Sequence, residues 1–253
     1  MKSITLGCNK YEVEALESLG YITSVVNEII SKEFPRYSGD ISNLHKYVDH
    51  EQINSIRLKI FKKINSDSSI YEKLWDIGGA YISEILGPDV LVQTKVNVSI
   101  QAPNDESSTL GIHSDCWSGD TPHQINLWIP LTRSYESNAM FLFNFNRTKL
   151  IISDLYKNLN NAKYDLSGYI KKEDFLQLEY GEFLIFNPGL LHGNVVNKTE
   201  STRMSINVRY KSLFSPDSKP EHISRSAGIF FKLYRTSEWT KLAKSLDEVN
   251  EGG

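Results

Sequence analysis

The chain has 253 residues, a length that suits one domain, and 11 Phe, 13 Tyr and 4 Trp can fill a sizeable core. Its 28 Lys and Arg against 31 Asp and Glu give a net charge of −3, which argues against a nucleic-acid module. Two distant cysteines, Cys8 and Cys116, rule out a disulfide framework or zinc spacing and fit a reducing cytoplasm. Lys2 opens no signal-peptide pattern, and no run approaches the roughly 18 apolar residues of a membrane span.

The first third reads as helical. Residues 10–34 carry Val13, Leu16, Tyr21, Val25, Ile29 and Ile30 at helical spacing, and Pro35 ends the run. Asp49-His50-Glu51-Gln52 has the form of a capping box for a helix to about residue 65. Ser69-Ile70-Tyr71-Glu72 has the same form, for a helix stopped by Gly87-Pro88. Strands follow. Leu91–Ile100 alternates, with Gln93, Lys95, Asn97 and Ser99 on a face available to a cavity. From His123 to Leu131, Gln124, Asn126 and Trp128 oppose Ile125, Leu127 and Ile129. Ala139–Phe145 reads as another buried strand, and residues 148–173 as an insertion or lid. Residues 175–180 and 182–186 read as a hairpin around Gly181. In the strand from Arg203, Met204, Ile206 and Val208 face away from Arg203, Ser205, Asn207 and Arg209. Residues 212–228 read as an ordered loop, and Trp239–Val249 as a short closing helix. The expected fold is mainly β: a double-stranded β-helix (jelly roll, cupin-like) buttressed by the helical N-terminal third. It forms a single domain over 1–253, with a helical buttress at 1–88, a core at 89–211 and a C-terminal loop and helix at 212–253.

Chemistry concentrates in His113-Ser114-Asp115 and in Asn187-Pro188-Gly189-Leu190-Leu191-His192-Gly193. Two imidazoles and one carboxylate on one face of an ion, with the other positions open, are the ligand set of non-haem Fe(II) oxygenases. On a strand edge, residues two apart point the same way, so His113 and Asp115 can converge, with His192 arriving from a distant strand. Arg203 offers a bidentate fork for a carboxylate, and Ser205 points the same way. Arg209 is a rival clamp six residues, about 20 Å, further along the same face. Lys95 and Asn126 are further candidates for the co-substrate pocket. Cys116 is read as structural. The turn-rich Trp117-Ser118-Gly119-Asp120-Thr121-Pro122 stands beside the ligands, where substrate contacts are expected. Trp117 offers a face for sugar stacking and Asp120 an acceptor for hydroxyls; the alternative puts Trp117 in the core and Asp120 in the turn. Asn194, in the loop after His192, is a third candidate substrate contact.

His113 through Pro122, Leu127-Trp128-Ile129-Pro130-Leu131 and Phe230-Phe231-Lys232-Leu233-Tyr234-Arg235 together resemble the phytanoyl-CoA dioxygenase superfamily. Within it, they resemble the carbohydrate-cluster (streptomycin-biosynthesis StrG-like) oxygenases. The likeness runs over residues 90–236. Asn138–Asn144 departs from the Gly-rich strand ending in Pro-Gly-Ser-His that many superfamily members have, a departure that bears on the substrate-side wall and not on the metal. The resemblance implies Fe(II) on His113, Asp115 and His192, 2-oxoglutarate on Arg203, O2 as oxidant and a carbohydrate or nucleotide-sugar substrate. Two other readings stand beside it: a non-catalytic jelly-roll sugar-binding module, and a cupin-type metal-dependent sugar isomerase or epimerase. No membrane or nucleic-acid partner is expected, and self-association is left open.

Overall fold

A computed structural model describes residues 7–161, 165–217 and 220–251. The expectation of no N-terminal leader falls on residues 1–6, outside the described residues. Three helices precede most of the strands: α1 (Leu16–Glu33), α2 (His50–Ser66) and α3 (Ser69–Leu86). The Asp49 capping box of α2 forms as the sequence predicts, with Gln52 N–H donating to Asp49 at 2.8 Å and Asp49 N–H donating to Gln52 Oε1 at 3.1 Å. The box expected at Ser69 does not form. Asp67 instead accepts from the Ser69 N–H and hydroxyl, while Glu72 pairs with Arg235.

The helix predicted from residue 10 starts at Leu16, because Cys8–Glu12 forms a strand, β1, paired antiparallel with β6 (Glu182–Phe186). The open sheet edge offers these residues hydrogen-bond partners, and tertiary pairing overrides the weak local helical preference. The seven strands of the large antiparallel sheet include β4 (Gln124–Pro130) and β8 (Arg203–Ser212) at its centre. The strand expected over 91–100 is two, β2 (Val90–Gln93) and β3 (Asn97–Gln101), both paired with β8; β2 also pairs with β9 (Phe231–Arg235). The smaller sheet joins β5 (Phe141–Leu142) to β7 (His192–Gly193). The hairpin predicted around Gly181 is absent. Phe175 and Leu178 bridge to Phe141 and Ser134, whereas β6 pairs with β1 and β4. The two halves of that segment therefore pair with different partners.

Strand alternation decides which side chains meet. From β8, Met204, Ile206, Val208 and Tyr210 enter the core beneath the helices, with Ile125, Leu127 and Ile129 of β4. Each such buried aliphatic side chain contributes about 1.5–3 kcal/mol. Arg203, Ser205, Asn207 and Arg209 face the other way, into a cavity of about 700 Å³ whose wall also includes Met140 and His192. Between β5 and β6, α4 (Phe145–Lys157) buries Ile151 against Phe141, Phe143 and Leu191. The expected lid at 148–173 is thus anchored: Arg147 pairs with Asp174, and no described residue of the segment lines the cavity. Residues 162–164 of it lie outside the described residues. The closing helix, α5, spans Glu238–Glu251. No helix among the described residues is long and apolar enough to cross a membrane.

Candidate metal centre

His113 and His192 face each other across an isolated bridge, each N–H donating to the other's carbonyl at 2.9 Å. The Ser114 hydroxyl and the Asp115 N–H both donate to Pro188 O, at 2.9 and 3.1 Å. These bonds stitch the two motifs together. The pair His113 and Asp115 does not converge by strand alternation, as the spacing predicts. Asp115 opens a 3₁₀ turn, Asp115–Ser118, and the turn swings its carboxylate toward the imidazoles. Gly193 makes the close approach possible: a Cβ there would sit 2.6 Å from Leu110 O and 2.7 Å from Gly111 O.

The donor atoms of His113, Asp115 and His192 lie within 4.8 Å of one another. Asp115 Oδ1 is 3.9 Å from His113 Nε2 and 3.8 Å from His192 Nε2. Two ligands each about 2.0–2.2 Å from a shared divalent ion stand no more than roughly 4.4 Å apart, and both carboxylate–imidazole separations fall inside that limit. Each imidazole Nδ1 is occupied by a backbone carbonyl, Gly111 O at 2.8 Å and Leu190 O at 2.9 Å. With the proton on Nδ1, both Nε2 lone pairs are left for the metal. The carboxylate is divided in the same way. Its Oδ2 accepts from Asn126 Nδ2 at 2.7 Å and pairs with Arg209 Nη2 at 3.0 Å, which leaves Oδ1 free. Burial opposes ionisation of Asp115, but Arg209, His192 and the Asn126 bond outweigh it and hold the carboxyl below its ordinary value. Burial lowers His192, which favours the neutral imidazole a metal requires.

The two arginines differ in their partners. Arg209 pairs with Asp115 and approaches Asp120 Oδ2 at 2.9 Å through Nε, off the line of a hydrogen bond. Arg225 stands 3.5 Å from the other Asp120 oxygen. Arg209 is therefore committed to carboxylates already present. Arg203 is 3% exposed and, among the described residues, has neutral acceptors alone: Asn138 O, Ser99 Oγ, Ser205 Oγ and Gln101 Oε1, at 2.8–3.1 Å. Burial pushes it down to about 10. A buried cation on a cavity wall without an anion is incomplete, and a ligand carboxylate would complete it.

The remaining predicted residues scatter. Ser205 lines the cavity and accepts from Arg203. Asn126 orients Asp115 and is not on the cavity wall. Lys95 is exposed in the break between β2 and β3, away from the cavity, because the alternation that would have turned it inward stops at Gln93. Trp117 is half exposed and, like Asp120, does not line the cavity; Asp120 is buried against Arg209 and Arg225. Burial raises the Asp120 carboxyl despite both guanidiniums. Asn194 lines the cavity, but its amide pins the preceding loop, accepting from Leu110 N–H at 2.5 Å and donating to Ser108 O at 3.2 Å. Sequence reasoning missed Gln101, which continues the Asn97–Ser99 alternation, and Arg57 on α2, for which the sequence carries no signal.

The architecture is shared with solved non-haem oxygenases. The apo form of the non-haem monooxygenase ThoJ superposes with a TM-score of 0.52 at 16% identity, covering 92% of this chain and 82% of that one. HygX of Streptomyces hygroscopicus, solved with nickel and 2-oxoglutarate bound, gives 0.51 at 12% identity over 84% and 85%. The fold is thus the one these solved structures share. In sequence, the chain is 29% identical over 124 residues to the streptomycin biosynthesis protein StrG of Streptomyces griseus. That stretch is 48% of this chain and 46% of StrG, so the match spans about half the length of that relative. No family model matches the chain.

Proposed function

We propose that the protein is an Fe(II)/2-oxoglutarate-dependent dioxygenase that oxidises a C–H bond of a carbohydrate or nucleotide sugar in polysaccharide or glycoside biosynthesis. The observation that carries this reading is the pairing, in one cavity, of an open three-ligand face with a buried guanidinium that has no counter-ion among the described residues. A metal-dependent sugar isomerase or a sugar-binding module would need the first feature at most. His113, Asp115 and His192 would hold the iron through Nε2, Oδ1 and Nε2. Arg203, steadied by Ser205, Ser99 and Gln101, would take the distal carboxylate of 2-oxoglutarate. The bound pair supplies the oxidising chemistry: 2-oxoglutarate and O2 yield succinate and CO2 while one oxygen atom enters the substrate C–H bond. Trp128, Met140 and Phe186 supply apolar wall that limits water around the reacting carbon. The sugar substrate rests on the likeness to StrG and on the many hydroxyl and amide groups of the outer wall.

Succinate release tests the reading. Protein with Fe(II), 2-oxoglutarate and ascorbate should form succinate in air and none under argon, with faster turnover when a sugar substrate is added. Sugar turnover that needs metal but neither O2 nor 2-oxoglutarate would replace this reading with the isomerase. Sugar binding without any turnover would replace it with the binding module.

A further inference from the structure

The outer wall of the cavity carries a charge that neither metal nor co-substrate uses. Arg57 of α2 lines it, with Nε and Nη2 propped on Asn54 Oδ1 at 3.2 and 2.8 Å. No carboxylate lies within ion-pair distance of Arg57 among the described residues. Around it stand neutral hydrogen-bonding groups: Asn54, Asn97, Ser107, Ser108 and Thr109. The loop that carries Ser107, Ser108 and Thr109 is held firm. Asp105 Oδ1 accepts from the Ser107 N–H and hydroxyl at 2.9 and 2.6 Å, and Asn194 fixes Leu110 and Ser108 beside His192.

The charges on this wall do not cancel. Three guanidiniums, Arg57, Arg203 and Arg209, meet two carboxylates, Asp105 and Asp115. Asp120 and Arg225, behind Arg209, offset each other. A divalent metal and dianionic 2-oxoglutarate also offset each other, which leaves one positive charge in the loaded cavity. A cavity of one sign with low-dielectric walls concentrates the opposite sign, and Arg is suited to forked contact with a phosphoryl or carboxylate group. Resting on the oxygenase reading, we infer that the substrate is a sugar bearing an anionic group, and that Arg57 binds that group while the loop 105–110 hydrogen-bonds the sugar hydroxyls. Amine-bearing aminocyclitols are disfavoured by the same charge.

The test is calorimetric titration of protein loaded with Zn(II) and 2-oxoglutarate, using glucose 1-phosphate, UDP-glucose, glucuronate, glucose and kanamycin. At least one anionic sugar should bind ten times or more as tightly as glucose and kanamycin, and more weakly as salt rises. Glucuronate against the two phosphorylated probes separates a carboxylate from a phosphoryl preference. Arg57→Ala should remove the preference and Arg57→Lys should keep part of it, while both variants bind Zn(II) and 2-oxoglutarate like the parent. Equal or tighter binding of glucose or kanamycin, no binding of any anionic sugar, or an unchanged preference in Arg57→Ala overturns the inference. Failure of the parent to bind 2-oxoglutarate would instead defeat the oxygenase reading.

Discussion

Replacing Arg203 by Met removes a charge while keeping much of the side chain's length, and its effects on folding and on ligand binding should separate. Burial lowers the guanidinium from its ordinary value to about 10. At about 1.36 kcal/mol for each tenfold change in proton affinity, that is a desolvation cost of about 3 kcal/mol, carried at pH 7 and offset only when a ligand anion arrives. Met relieves this cost and forfeits four hydrogen bonds, worth about 0.5–1.5 kcal/mol each. The two contributions oppose each other and are of similar size, so the ligand-free protein should melt close to the parent. Binding behaves differently. Losing one partner of a buried charge pair costs about 2–5 kcal/mol, so affinity for 2-oxoglutarate should fall from about 30-fold to several thousand-fold. Differential scanning fluorimetry with Ni(II) reads both. At about 100 times its Kd, 2-oxoglutarate should stabilise the parent by about 2.7 kcal/mol, roughly 5–11 °C in a chain of this size, and Arg203→Met should lose that shift. A variant that keeps the full shift, or one that melts far below the parent without ligand, would refute this account of Arg203.

Arg209→Met should behave in the opposite way, because it strands the Asp115 and Asp120 carboxylates; a loss of about 3–5 kcal/mol is expected, read as a lower denaturant midpoint. Asp115→Ala or His192→Ala should abolish Co(II) binding, measured by the visible spectrum, since each leaves only two of the three donors. Gly193→Ala should weaken Co(II) binding and lower the melting temperature, because its Cβ would strike the Leu110 and Gly111 carbonyls and displace the neighbouring His192. In metal-free protein, NMR titration should find His192 below 6.5. Stability resting on its neutral form is then present above about 6.5 and lost as pH falls through the lower folded value, because the unfolded chain takes up the proton first.

The sequence by itself determined the two faces of β8 and marked His113, Asp115 and His192 as one candidate ligand set. Alternation is local and has a period of two, so Arg203, Ser205, Asn207 and Arg209 had to share a face whatever the strand paired with. Capping at Asp49 was equally legible, because it depends on neighbours three residues apart. Only the tertiary structure decided partners. Whether Asp120 meets a sugar or Arg209, whether Lys95 turns inward or stays in a strand break, and whether residues 8–12 extend a helix or close a sheet edge all depend on groups tens to hundreds of residues away. The choice between the two arginines shows the physical reason most plainly. They are chemically identical and lie on one strand face, and what separates their surroundings is the presence of carboxylates beside one buried charge and their absence, among the described residues, beside the other.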